Sequence, residues 1–205
     1  MPNFSRRLLV VAALGALALA GCSQGGAKTD AADMTLGDPK AAVKITEYAS
    51  ASCTHCATFH NEVFPALKAK YIDTGKVHYT FKEFLTPPVE VAAAAFLTAR
   101  CAGKDKYFSV LDAVFKAQNE MFTTGDMRGV LLRVAQSAGM TEPQFNACIT
   151  DETALKALND RVEKASRDEK ISSTPTFLIN GEKLKEGEAS LAEFDAAIAA
   201  AQAKK

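Results

Sequence analysis

Side chains alternate between residues 43 and 49, VKITEYA, so that Val43, Ile45 and Glu47 share one face at a two-residue period. The pattern predicts a strand, entered through the Gly-Asp-Pro turn of LGDPKAAVKITEYAS (36–50), and it sets a carboxylate among apolar neighbours. Phe59, Val63, Leu67 and Tyr71 then recur every four residues, a helix with one buried stripe, and Pro65 within it predicts a kink. DTG at 73–75 ends that helix, and KVHYTFKEFL (76–85) alternates as a second strand. From Pro87 to about Asp168 the period is helical throughout. VEVAAAAFLTARCAG is Ala-rich, and DKYFSVLDAVFKAQ places Tyr107, Val110, Leu111, Val114 and Phe115 on one face. DMRGVLLRVAQSAG ends at a C-capping Gly139, TEPQFNAC opens with a capping Thr, and 151–169 is a polar helix with Leu155, Leu158 and Val162 facing inward. STPTFLINGEKL (173–184) then reads as strand, Asn-Gly turn and strand, and residues 190–202 close the chain as a helix through Leu191, Phe194 and Ile198. The expected architecture is one α/β domain over 36–205: a β-α-β unit, a helical insert at about 87–168, and a β-β-α unit.

Residues upstream of this domain follow a different logic. MPNFSRR is cationic and LLVVAALGALALAG is an apolar run of signal-peptide length, short for a membrane span. The run ends LAGC (19–22), similar to a bacterial lipobox, which makes 1–21 a lipoprotein signal peptide and Cys22 the lipid-bearing residue; an ordinary signal peptide with an incidental Cys22 is the alternative. Residues 23–35, SQGGAKTDAADMT, read as a flexible tether to the folded domain. Export and attachment to a membrane through the lipid are expected, in a compartment where disulfides persist.

Composition narrows the function. Loss of Arg6 and Arg7 with the signal leaves 22 basic against 24 acidic side chains, with no cationic stripe interleaved with aromatics, so nucleic acid is not an expected partner. A hydrophobic content of 48% suffices for a core.

Five cysteines carry the candidate chemistry, and setting Cys22 aside leaves four. Cys53 and Cys56 stand in EYASASCTHCATFH, at a helix start, where unpaired amides and the helix dipole favour a thiolate on Cys53 and a protonated His55 adds positive charge. Cys56, one turn inside and more buried, suits a resolving thiol. Metal ligation by Cys53, Cys56 and His60 is the first alternative, but no second ligand pair of similar spacing exists. A purely structural bridge is the second, and a four-residue ring removes little chain entropy. Cys101 and Cys148 lie in the helical insert and are expected to form a structural disulfide rather than remain buried thiols. Thr174-Pro175 precedes a strand although proline has no amide to give a sheet. Spacing leaves open a cis bond, with the Thr174 backbone turned out towards an extended substrate, or an edge-strand trans proline.

EYASASCTHC, the helical insert and TPTFLING together resemble the DsbA-like thiol–disulfide oxidoreductases, a branch of the thioredoxin superfamily, over about residues 36–203. The resemblance implies a thioredoxin fold with a helical insertion between its N-terminal βαβ and C-terminal ββα units. It implies Cys53 as nucleophile, Cys56 as resolving thiol, Pro175 as a cis-proline beside them, and Glu47, six positions before Cys53, as a carboxylate relaying protons to Cys56. The commoner Pro-His between the cysteines is Thr54-His55 here, which retains the histidine. Lys82 is out of phase with Val77 and Phe81 and is not assigned to the site, while His60 and His78 are read as surface or helix-face residues. The expected activity is disulfide donation to unfolded or reduced exported proteins by a monomer needing no cofactor or metal. A DsbB-type membrane oxidase would be the reoxidising partner. The alternatives are a reductase or isomerase of the same fold, or a non-catalytic peptide-binding lipoprotein.

Overall fold

The computed structural model describes Met1 and residues 33–204, so the signal segment, Cys22 and most of the expected tether lie outside the described residues. Strands β1 (Met34–Leu36), β2 (Val43–Ala49), β3 (Val77–Glu83), β4 (Thr176–Ile179) and β5 (Glu182–Glu186) form one sheet in the order β1-β3-β2-β4-β5. β2 and β3 are parallel, Ile45 opposite Tyr79 and Glu47 opposite Phe81, and the other three pairings are antiparallel. A parallel pair demands a crossover. It is the helical run of α1 (Thr54–Thr58), a π-helical turn (Phe59–Val63), α2 (Phe64–Leu67) and a second π-helical turn (Lys68–Ile72).

This run departs from the expected single kink. Pro65 has no amide to continue the α-helical ladder, and the backbone answers with wider turns on both sides of it, the Phe64 amide reaching back to the Phe59 carbonyl. The extra residue per turn rotates the buried face: Tyr71 is half-buried and Ile72 takes the inward position. Strand β1 begins at Met34, inside the stretch expected as tether, because Met34 pairs with Phe81 and is itself buried.

Helices α3 (Val89–Cys101), α4 (Tyr107–Thr124), α5 (Met127–Ser137), α6 (Glu142–Ile149) and α7 (Glu152–Asp168) occupy the span between β3 and β4, and α8 (Leu191–Ala203) ends the chain. Asp126, Thr141, Asp151 and Ser190 cap their helices through side-chain oxygens, each capping bond contributing about 1 kcal/mol. In α7 the inward face is Ala154, Leu158 and Ala165, with Val162 half-buried; Leu155, expected inside, is 37% exposed. Asn180 and Gly181 both take positive φ, which the tight β4–β5 hairpin turn requires.

Side chains of Val43, Ile45 and Glu47 face the main core, where Phe59 lies 4.6 Å from Phe177 and 5.7 Å from Phe194 between ring centroids. Glu83, last in β3, fastens the inserted helices to the sheet. Its buried carboxylate accepts from buried Arg100 Nε (2.7 Å, α3) and Tyr107 Oη (3.0 Å, α4) and from half-buried Arg161 Nη2 (2.6 Å, α7). Cys101 and Cys148 form a disulfide between α3 and α6, so the insert is also closed covalently.

Candidate active site

Cys53 is the N-cap of α1 in extended conformation, and its Sγ accepts a hydrogen bond from the Cys56 amide at 3.3 Å. The second cysteine, one turn on, is wholly buried, while Cys53 keeps partial access to solvent, and both are free thiols. The two titrate apart. Cys53 is lowered from 9.0 to about 6: hydrogen bonding from the Cys56 side chain acts most strongly, burial opposes it, and the Thr174 side chain, the Cys56 amide and the His55 charge lower it further. The Thr174 carbonyl, 3.4 Å from Sγ, accepts from the neutral thiol only and so works against ionisation. Burial pushes Cys56 well above an ordinary thiol, assisted by the neighbouring Cys53 and Glu47 charges. One sulfur is poised as a thiolate and the other as a thiol.

His55 turns its ring outward. Nδ1 sits 2.7 Å from Glu188 Oε1, and this hydrogen bond raises the imidazole pKa, with a smaller contribution from Cys53. Glu188 was invisible to motif reading because it is 133 positions away, in the loop after β5. Gln118 of α4 was likewise missed; its Nε2 donates to the carbonyls of Ala51 (2.9 Å) and Cys53 (3.1 Å) and fixes the turn that presents Cys53. Ser52 Oγ, donating to the Thr86 carbonyl at 2.7 Å, ties that turn to the segment after β3.

Glu47 is fully buried, as its strand phase requires, and two groups hold it among the described residues. Tyr79 Oη donates to Oε2, and His60 Nε2 is 3.1 Å from Oε1. His60 is therefore not the surface or helix-face residue expected from sequence. One helical turn after Cys56, it is 4% exposed and stacked on Phe115 at 4.3 Å. Its partner Glu47 is a strand residue 13 positions earlier, a pairing no local periodicity reveals. Lys82 has no part here and bonds Glu169 at 3.2 Å, while His78 lies half-buried on β3.

The Thr174–Pro175 bond is cis, which closes the alternative that spacing left open, and Pro87–Pro88 is cis as well. Ser52, Thr86, Pro87, Phe122 and Thr174 surround an open groove of about 490 Å³ over Cys53. The structure thus gathers Cys53, Cys56, His55, Glu47, Thr174 and Pro175 at one end of the sheet, and keeps Cys101 and Cys148 apart on the insert.

A Cys-x-x-Cys heading the first helix of a thioredoxin-type sheet, faced by a cis-proline loop, is the arrangement of a thiol–disulfide exchange protein. Comparison with known proteins agrees. A thioredoxin family model matches residues 29–200. A Rickettsia bellii protein, provisionally named a protein-disulfide oxidoreductase, is 32% identical over 155 residues, covering 75% of this chain and 59% of its own length. The crystal structure of Wolbachia pipientis alpha-DsbA1 superposes with a TM-score of 0.76 at 32% identity, covering 84% of this chain and 92% of that one. Chlamydia trachomatis DsbA, at 20% identity and a TM-score of 0.72 over 84% and 92% of the two chains, shares the fold. The chain belongs to the DsbA-like branch of the thioredoxin superfamily. It spans less than two thirds of the length of the Rickettsia relatives it matches.

Proposed function

We propose that this chain is an extracytoplasmic disulfide donor, anchored to a membrane through lipidated Cys22, that oxidises reduced exported proteins through the Cys53–Cys56 pair. A substrate thiolate attacks Cys53 Sγ of the disulfide. The Cys53–Cys56 bond breaks, and Cys56 leaves as a thiolate that takes up a proton. A second substrate thiolate then attacks the substrate sulfur of the mixed disulfide and expels Cys53, again as a thiolate. The substrate gains a disulfide, and the pair gains two electrons.

The observation that carries this reading is the Cys53 thiolate, which titrates at about 6. A stabilised thiolate is a good leaving group and favours the reduced pair, so the oxidised pair passes its disulfide on. Thr174, with its carbonyl against Cys53 and its cis bond to Pro175, fits a backbone-pairing role towards an extended substrate beside the groove. Glu47 fits the proton relay to Cys56, whose thiol feels its charge. Reoxidation calls for a membrane oxidase of the DsbB type, and monomeric action suits a donor. Among the described residues no helix is long and apolar enough to cross a membrane, so the anchor rests on the LAGC segment.

The test is to mix the oxidised protein with a reduced, unfolded protein that needs disulfides. Stoichiometric oxidation, abolished in Cys53→Ser, supports the donor. Retained biological activity in Cys53→Ser would favour a peptide-binding lipoprotein instead.

A further inference from the structure

Disulfide donation moves a proton as well as electrons, and, granted the donor reading above, that proton must reach a sealed sulfur. Cys56 and Glu47 are each 0% exposed. A carboxylate in this position relays a proton only if something replenishes it, so the partners of Glu47 decide the path.

There are two. Tyr79 leads nowhere: it is fully buried, burial and the Glu47 charge hold its phenol well above the ordinary range, and the Phe64 and Phe108 rings lie 5.0 and 6.2 Å from its own. His60 differs. It touches Glu47 through Nε2, and it also borders a cavity of about 400 Å³ formed between β1, the first helical run and α4. Leu36, Phe64, Pro65 and Phe108 give this cavity apolar walls, and the exposed side chains of Lys68 and Lys116 line it as well. The helix explains the placement. His60 stands four residues after Cys56 on the same face, within the π-helical turn that precedes Pro65, and such turns are frequent at functional sites. An imidazole can take a proton at one ring nitrogen and release one from the other, which a lysine or an amide in its place could not do.

We propose that His60 is a positioning residue for proton exchange at Cys56, connecting the Glu47 carboxylate to solvent through this cavity. During donation one proton passes from solvent to His60, from Nε2 to Glu47 Oε1, and from Glu47 to the leaving Cys56 thiolate. During reoxidation it returns by the same atoms, and no electron passes through the imidazole. The charged and titratable groups around His60 are Glu47 from β2, Tyr79 from β3 behind that carboxylate, Cys56 from α1, Lys68 from the same helical run, and Asp112 and Lys116 from α4.

The experiment follows resolution of a mixed disulfide in the full-length protein. The reduced protein is mixed with oxidised glutathione, and decay of the Cys53–glutathione adduct, which needs deprotonated Cys56, is timed by acid quench and mass spectrometry at several pH values. His60→Gln keeps a hydrogen-bonding group but loses the basic ring nitrogen that could take up a proton. It should slow resolution about tenfold and change the pH dependence of that step, with Cys53 alkylation unchanged. Imidazole added to His60→Ala should restore the rate, whereas acetamide should not, which separates proton exchange from a loosened fold. His60→Gln in a Glu47→Gln background should add no further loss, since both act on one path. Wild-type rates and pH profile in His60→Gln, or full additivity with Glu47→Gln, would overturn the proposal. A wild-type protein that never forms or resolves the adduct would instead refute the donor reading itself.

Discussion

Replacing His55 by Ala asks how much of the Cys53 thiolate rests on the histidine and how much on the helix end. The histidine between the cysteines is the obvious candidate, yet its geometry argues for a small share. Its side chain is 69% exposed, so water and salt screen its charge, and Glu188 at 2.7 Å offsets much of what remains. The contacts that do not depend on it are the Cys56 thiol and amide at the cap and the Thr174 side chain, and the Cys56 thiol contributes most. With Cys53 at about 6, thiolate exceeds thiol about tenfold at neutral pH, whereas an unperturbed thiol at 9.0 would be about one hundredth ionised. If the cap dominates, His55→Ala keeps more than half of the depression. Its midpoint then stays below about 7.5, and roughly a quarter or more of Cys53 remains thiolate at neutral pH. Cys56→Ala removes the largest contributor and should shift the midpoint further than His55→Ala does. The assay is the pH dependence of Cys53 alkylation in the reduced proteins. A His55→Ala midpoint above about 8, or a larger shift than in Cys56→Ala, would refute the reasoning.

Three other perturbations test separate parts of the structure. Glu188→Gln should bring the His55 titration back down towards an ordinary imidazole, read from the ring proton shifts by NMR. Any stability the pair supplies is present at and below the ordinary imidazole value and is lost as pH rises through the raised one. Glu83→Gln leaves the buried Arg100 and the half-buried Arg161 guanidiniums facing a neutral amide and should cost about 3–5 kcal/mol in urea unfolding; a loss under about 1 kcal/mol would mean the cluster does not fasten the insert. Cys101→Ala/Cys148→Ala opens a link between residues 47 positions apart and should cost about 4 kcal/mol, with Cys53 alkylation unchanged.

What the chain reveals before folding depends on how far apart the interacting groups lie. Strand β2, the Asn-Gly hairpin and the α4 face of Tyr107, Val110, Leu111, Val114 and Phe115 are local patterns, and they fold as their periods dictate. Glu47 was conspicuous because a carboxylate in phase with Val43 and Ile45 breaks such a pattern. Three-residue β1 is too short to show a period, and it forms because β3 offers it an edge and Met34 has a core to enter. Leu155 faces solvent because Ala154, Leu158 and Ala165 set the inward side of α7, about one residue's rotation from the apolar spacing read in sequence. His60 looked ordinary because its burial depends on the π-helical turn before Pro65 and on Phe115 stacking from the insert. Glu188 reaches His55, and Gln118 the Cys53 carbonyl, only after distant parts of the chain have come together, and side chains placed by tertiary contacts leave no trace in spacing.

The central claim is that the Cys53–Cys56 pair is held towards its reduced form and therefore donates its disulfide. Its most direct test is the reduction potential of that pair in the purified protein, by equilibration with glutathione buffers at neutral pH. A thiolate at about 6 beside a buried thiol predicts a potential well above that of thioredoxin, about −270 mV, so that reduced, unfolded substrates are oxidised. A potential at or below thioredoxin's would contradict the account and make the protein a reductase that needs an electron source.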